Sequence, residues 1–391
     1  MNKGLIRIFV LALGTFALGT DVFVIAGILP AVAKDLDVSI SVAGQQVTIF
    51  AITYALGSPI LATLVGNISQ RKVLLISLFG FGLANILCAI APNYWFLLMA
   101  RVLTAIFAAL YTPNAYAAAA SIAPPEERGK ALSMVLAGLT LSTVFGVPLG
   151  IWVGQAFGWQ FTFVVVASLG LLAFLGLTVL LPQIPSPPKL ALKDRLKMMK
   201  NSRLLVALSL TTIVVAGAFT VYTYIVPLLR STAHLSETKI APVLLVYGIA
   251  AVLGNWLGGI GADRWSPTKM IASNLILQVV ALITLIFMET VISVSIVVFL
   301  WGIAWWAFVP AQQSRLIGMA DKMPGVIMAF NGSAIYLGIA LGGAIGGFIL
   351  HNYSETSLAW TGSSMELIAL LVLGTQIFKR KSKSGASMTK E

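Results

Sequence analysis

Apolar stretches of about twenty residues or more, broken only by short polar turns, run through this chain from end to end. Each is long enough to cross ~30 Å of hydrocarbon as a helix at about 1.5 Å per residue. An open strand in that medium would leave its backbone groups unpaired, and a closed barrel would need short segments of alternating polarity, which are absent. The segments are therefore read as helices, at 5–33, 42–66, 72–91, 95–121, 130–156 and 159–182, then 203–229, 240–262, 269–288, 291–316, 325–350 and 357–378. Of the 391 residues 59% are hydrophobic and only 10% charged, and mean hydropathy is +0.96. A soluble domain carries roughly 25% charged residues. There is too little polar surface here to cover a water-soluble body.

The start, MNKGLIRIFVLALG, is basic then apolar like a signal peptide, but the apolar run continues to about Ala33 with no small-residue cleavage site. It is expected to be a retained first span. Cys88 is the single cysteine, so no disulfide forms within the chain, and its apolar surroundings suit a small buried residue. His234 and His351 sit in different connections and form no metal-ligand cluster. No phosphate loop of the G-x-x-x-x-G-K-[ST] type is present. No cofactor or metal is expected.

The net charge of +12 could suggest nucleic acid, but its placement points to a membrane instead. With both termini on one side, that side holds 21 of the 25 Lys and Arg residues. They include Lys3 and Arg7, Arg71 and Lys72, Arg128 and Lys130, Arg264 and Lys269, and Arg315 and Lys322. The other side holds Lys34, Arg230 and Lys239, and Arg101 falls within a span. Basic residues favour the cytoplasm, which is expected to hold both termini. The polar stretch 183–203 breaks the rhythm. Pro182, Pro185, Pro187 and Pro188 forbid a continuous helix, and KLALKDRLKMMKNSR (189–203) reads as an amphipathic helix on the anionic inner leaflet, or as a site for an acidic partner.

This stretch separates two halves that resemble each other. Asp263, Pro310, Gly342 and Gly346 lie 196 or 197 residues after Asn67, Pro113, Gly146 and Gly150. The expected architecture is an all-α integral membrane protein of twelve spans in two pseudo-symmetric six-helix halves. Residues 1–182 form the first half, 183–203 the linker, 204–378 the second half and 379–391 a basic cytoplasmic tail. Such repeats place a transporter's substrate site at mid-membrane between the halves.

Asp21 lies mid-span in GTFALGTDVFVIAGILP. An ionised carboxylate there costs roughly 2.5–3.5 kcal/mol on insertion scales, so the residue should face a cavity. It can carry a proton, hold a cationic substrate or pair with a polar group. Arg101, in LLMARVLTAIFAAL, keeps its proton at all useful pH, so it pairs, tunes a carboxyl, holds an anion or snorkels to the outer interface. Glu366 is expected to reach the outer surface. Gln45, Tyr54, Tyr111, Asn114, Tyr116, Tyr222, Tyr224, Trp305, Trp306, Gln312, Gln313, Asn331 and Tyr336 fall within spans. Singly each suits helix–helix bonding or interface anchoring; together they describe a neutral, aromatic-lined cavity for planar or amphipathic compounds. GLTLSTVFGVPLGIWVG (138–154) and IYLGIALGGAIGGF (335–348) set small residues four apart, for tight packing and for contacts that slide, with a bend expected at Gly146-Val-Pro148.

These residues resemble the major facilitator superfamily, drug:proton antiporter-1 type, over essentially the whole chain. GADRW (261–265) resembles the loop motif after span eight, which implies that Asp263 and Arg264 help latch the cytoplasmic gate. Arg101 matches the family's span-four arginine, and AGLTLSTVFGVPLG (137–150) resembles the antiporter motif, with Gly146, Pro148 and Gly150 matching. APPEERGKAL (123–132) and FGWQFTF (157–163) are similar to the same branch. VPAQQSRLI (309–317) and FNGSAIYLGIALGGAIGG (330–347) are most similar to purine-base exporters and arabinose-efflux-like permeases. The first loop motif, LVGNISQRK (64–72), keeps Arg71 and Lys72 but has Asn67 and Ile68 where the family has an acid and a base. Relatives place a glutamate at the position of Val22; here the acid is Asp21.

The resemblance implies a proton-coupled exporter of drug-like compounds or purines, with Asp21 exchanging a proton, Arg101 tuning it and no ATP consumed. It would act as a monomer on small molecules and protons in the bilayer, without nucleic acid. Proton-symport import of a nutrient or sugar uses the same fold. A membrane enzyme or receptor would show a clustered nucleophile, a metal set or a sizeable external domain, none of which the sequence contains.

Overall fold

The computed structural model describes residues 3–184, 201–319 and 324–388. Twelve helices are long and apolar enough to cross a membrane. They are α1 (Lys3–Asp35), α2 (Ile40–Leu64), α3 (Gln70–Ala89), α4 (Tyr94–Ile122), α5 (Arg128–Phe157) and α6 (Trp159–Leu180), followed by α7 (Ser202–Tyr222), α8 (Glu237–Arg264), α9 (Pro267–Leu285), α10 (Val291–Ile317), α11 (Pro324–Asn352) and α12 (Thr356–Met388). Most of the amphipathic stretch read at 189–203 lies outside the described residues.

Local chemistry fixes the starts. Ser39 and Asn93 cap α2 and α4 by accepting from the amides of Val42 and Phe96. Thr290 and Ser293 form a capping box on α10. Two departures from plain α-helix have a proline cause. Within α5, Ser142–Gly146 is a π-turn, next to Pro148, which cannot donate to the carbonyl of Val144. This is where the sequence led us to expect a bend. The seventh segment, expected to be continuous, ends at Tyr222 and resumes as a nine-residue helix, Ile225–Ala233. Pro227 leaves the carbonyl of Thr223 without a helical partner, which accounts for the interruption. At the far end, α12 stays helical to Met388, beyond the expected limit of 378.

The packing repeats. In the first half α1 lies against α5 and α6, α3 against α4 and α6, and α2 against α4. In the second, α7 lies against α11 and α12, α9 against α10 and α12, and α8 against α10. The halves meet mainly along α2–α11 and α5–α8, two seams that the same repeat relates to each other. Contact along the α2–α11 seam is tightest at the end away from the termini. There a β-carbon on Gly343 would lie 2.8 Å from Thr48 Oγ1, and one on Gly347 would meet Gln45 and stand 2.7 Å from the Tyr224 hydroxyl. Toward the termini the seam loosens. The buried residues of α2 run from Ser41 to Ala55 and stop, leaving Leu56, Ile60 and Leu64 exposed.

Candidate functional site

Two polar features lie inside the helical bundle: a buried ion pair in the first half and a small polar pocket in the second, with aromatic side chains bridging the halves. Arg101 on α4 donates Nη1–H to Asp21 Oδ1 on α1 at 2.6 Å, with the side chains 1% and 0% exposed. Arg101 therefore does not snorkel. Its guanidinium also lies 4.5 Å from the centre of the Phe50 ring on α2, within cation–π range. Asp21 Oδ2 and Arg101 Nε have no hydrogen-bond partner among the described residues. The pair is thus minimally satisfied, joined by a single bond in a dry environment.

In the second half, Gln312 on α10 donates to the Ala207 carbonyl at 2.7 Å and to Thr211 Oγ1 at 3.0 Å, both on α7. Thr211 in turn donates to Asn331 Oδ1 on α11 at 2.9 Å. A cavity of about 20 Å³ opens beside this triad, lined by Trp305, Phe308 and Val215 among others. That is room for one water-sized occupant. Gln312 Oε1 has no partner, which leaves an acceptor for an incoming group.

Aromatic rings join the two features. Phe50 packs 6.3 Å from Tyr336 on α11, which stacks on Tyr54 with centroids 3.5 Å apart. Phe23, two residues after Asp21, inserts among Phe219, Tyr222 and Trp306 at 5.6–6.1 Å, and the Tyr222 hydroxyl donates to its carbonyl at 3.1 Å. Through Phe50 the ion pair is one side chain removed from the other half.

Of the cavity candidates, Tyr54, Tyr222, Trp305, Trp306, Gln312, Asn331 and Tyr336 gather here. Gln313, one position and about 100° around the helix from Gln312, is half-buried and outside the triad. Gln45 stands at the tight end of the seam, away from the termini, bonded to the Ser41 carbonyl. Tyr224 is there too, donating to the Gly343 carbonyl at 2.9 Å. Tyr111 is consumed within the first half, donating to the Leu11 carbonyl of α1 at 2.8 Å. Asn114 bonds back to Leu110, its carbonyl accepts from Gln70, and Tyr116 packs half-buried against the core. Sequence reasoning passed over Thr211, Phe23 and Phe50. A threonine among apolar neighbours carries no signal by itself, and phenylalanine in a span looks like any lipid-facing residue.

Glu366 does not reach the outer surface. It lies ten residues beyond the start of α12, about 15 Å along the axis, and is 0% exposed. Arg71 is held by the Thr178 carbonyl at 2.7 Å. Asp263 and Arg264 are exposed at the end of α8 and make no hydrogen bond or ion pair among the described residues. Gly146 and Gly150 lie against Thr20 and Val24 of α1, near Pro148, and Gly342 and Gly346 lie against α7 and Tyr224. These four glycines tighten each half internally, while Gly343 and Gly347 face across the seam. Among the described residues no three His, Cys, Asp or Glu side chains cluster to hold a metal.

The sequence profile of the Major Facilitator Superfamily matches residues 11–343. The chain is 34% identical to the inner membrane transport protein YdhP of Escherichia coli K12 over 341 residues, covering 87% of each. It is 32% identical over 366 residues to YbcL, an uncharacterized MFS-type transporter of Bacillus subtilis 168, covering 93% of this chain and 94% of that one. To a probable sugar efflux transporter of Helicobacter pylori P12 it is 29% identical, covering 94% of each. Its fold is similar to that of the human organic anion transporter MFSD10, with a TM-score of 0.71 at 15% identity over 95% of this chain and 100% of that one. A bacterial homolog of the human lysosomal transporter Spinster gives 0.69 at 17% identity over 96% and 95%. With the twelve spans and the repeated packing of the halves, these matches place the chain among membrane transporters, not enzymes: it belongs to the major facilitator superfamily.

Proposed function

We propose that this protein is a proton-coupled secondary exporter of small planar or amphipathic molecules, drug-like compounds or purine bases and nucleosides, of the drug:proton antiporter-1 type. The Asp21–Arg101 pair carries this reading. A buried pair held by one hydrogen bond is close to the balance between desolvation and attraction. Protonating Asp21 removes the attraction and leaves Arg101 to seek another partner. Phe50, which covers the guanidinium, touches Tyr336 of the other half, so rearrangement of the pair is felt at the seam. Substrate would stack on the tyrosine and tryptophan rings and use the free acceptor of Gln312.

The basic residues assign the termini to the cytoplasm of a bacterial-type inner membrane. The seam closed away from the termini then corresponds to an inward-facing state, with Asp263 and Arg264 as an inner latch that is undone. Gly343, Gly347 and Gly248 (on α8, against Thr143 of α5) lie where the halves must part to open outward. The transporter works as a monomer, with its 183–203 linker on the anionic inner leaflet, and differential binding in two states drives the cycle. The efflux name of the Helicobacter relative supports the outward direction.

Everted vesicles acidified inside by respiration test the reading. Labelled adenine, arabinose or ethidium should accumulate in the lumen and be released by a protonophore. Accumulation that survives the protonophore would remove proton coupling. Uptake found only in right-side-out vesicles would reverse the direction.

A further inference from the structure

Glu366 is buried at the crossing of α12 and α7 with no hydrogen bond to either carboxyl oxygen among the described residues. Its surroundings are built for close approach. A β-carbon on Gly217 of α7 would lie 3.0 Å from Glu366 Oε1 and 3.1 Å from the Gly362 carbonyl. Asp21 and Glu366 are the two buried acids among the described residues, and their circumstances are opposite. Asp21 has a cation at 2.6 Å; Glu366 has none.

The charged and titratable groups on the elements packed against α12 do not reach the Glu366 carboxyl with a hydrogen bond. On α7, Tyr222 donates to Phe23, Tyr224 just beyond the helix donates to Gly343, and Arg203 stands in the first turn. Lys269 is in the first turn of α9, and Arg230 lies near the end of the short helix after α7. On α11, Tyr336 is in the tyrosine stack and His351 is in the last turn. Arg315 of α10 reaches α12 at Gln376, ten residues beyond Glu366. None of these is hydrogen-bonded to Glu366. An isolated carboxylate in such a place would carry its full desolvation penalty, which a bound proton removes.

One nearby group is suited to receive the charge when the proton leaves. Gln278 of α9 is fully buried, with neither its Nε2 nor its Oε1 partnered. Leu282 of α9 faces Gly362 of α12, and these helices run in opposite directions. One turn further toward the termini on each brings Gln278 and Glu366 to the same level. On its opposite side α7 carries Thr211 and Val215, which line the polar pocket. The helix against which Glu366 lies therefore also carries Thr211, one of the three members of the triad.

We propose that Glu366 is a second proton-carrying carboxyl, loaded in this conformation while Asp21 is ionised, and that α7 links it to the substrate pocket. This rests on the antiport reading and extends it to one titrating acid in each half. On unloading, the carboxyl O–H bond breaks and the proton passes to water on the open side, Gln278 donating to the carboxylate left behind. On reloading, a proton from the opposite side re-forms that bond.

Infrared spectra of the full chain in dodecyl maltoside, which has no ester carbonyl, test the proton directly and need no substrate. At neutral pH wild type should show a protonated-carboxyl C=O absorption that disappears at alkaline pH. Glu366→Gln should lack that absorption and Asp21→Asn should keep it, while Gln278→Leu should move its loss to higher pH. Glu366→Gln keeps the size and neutrality of the loaded side chain, and its elution as a monodisperse peak serves as the folding control. In vesicles it should exchange about one proton fewer per substrate than wild type. An unchanged absorption in Glu366→Gln, or its loss in Asp21→Asn alone, overturns the proposal while leaving the antiport reading untouched. Glu366→Gln that moves as many protons per substrate as wild type also overturns it. Wild type that moves no protons with adenine, arabinose or ethidium defeats the antiport reading and the coupled role of Glu366 together, even with the absorption present.

Discussion

Asp21 and Arg101 satisfy each other's charge and little else. Removing one partner of a buried pair typically destabilises by about 3–5 kcal/mol, because the other charge is left stranded, whereas replacing both is often near neutral. Asp21→Asn should therefore lower the thermal unfolding temperature in detergent, and Asp21→Asn with Arg101→Gln should recover much of the loss. A double variant no more stable than the single one would contradict the pairing. At the pocket, Gln312→Leu removes the bonds donated to Thr211 Oγ1 and the Ala207 carbonyl, and with them the free acceptor. A hydrogen bond to substrate lost in this way is worth about 1–3 kcal/mol, so KM for a transported compound should rise about fivefold or more. An unchanged KM would take Gln312 out of the site. Asp21, Arg101, Gln312 and Asn331 stood out in the sequence as polar residues within spans, whereas Thr211 and Gln278 did not, and none of their partners was visible. Asp21 and Arg101 stand 80 positions apart, and nothing in either span shows that α1 and α4 set them face to face. Glu366 was misplaced because distance from a span's end says little about exposure when that face of the helix packs against α7 and α9.

At the scale of elements, the α2–α11 seam is the place where closure is made. Gly343 stands over Thr48, so Gly343→Val should hold the outer end apart. Cys88 is the single cysteine, so one further change, Cys88→Ser, gives a background free of thiols. In that background Thr48→Cys should react slowly with a membrane-impermeant maleimide added from outside, and several-fold faster when Gly343→Val is present. Equal rates would mean that the glycine does not govern closure. The twelve spans could be read from hydropathy because lipid exposure demands apolar length. The break after Tyr222 could not, since an interrupted helix in contact with protein remains as apolar as a continuous one. The four-residue glycine spacing was visible too, but it does not say which neighbour each glycine meets. Gly342 and Gly343 are adjacent, yet one packs on α7 within its own half and the other on α2 across the seam.

For the whole molecule, the repeat visible as a shared offset in the sequence becomes a repeat of packing, and its two seams are where the halves meet. The structure leaves the seam loose on the side of the termini and tight on the other, with one acid paired and one unpaired between them. The central claim, that protons drive the export of a small molecule through this arrangement, is tested most directly by the pH gradient of everted vesicles acidified inside. Adenine, arabinose and ethidium would be added in turn to vesicles bearing wild type, Asp21→Asn or the Asp21→Asn, Arg101→Gln double variant. The account predicts that at least one compound dissipates the gradient in wild type, and that neither variant responds to it. If the variants respond as wild type does, Asp21 has no part in coupling; if no compound moves protons through wild type, antiport itself is contradicted.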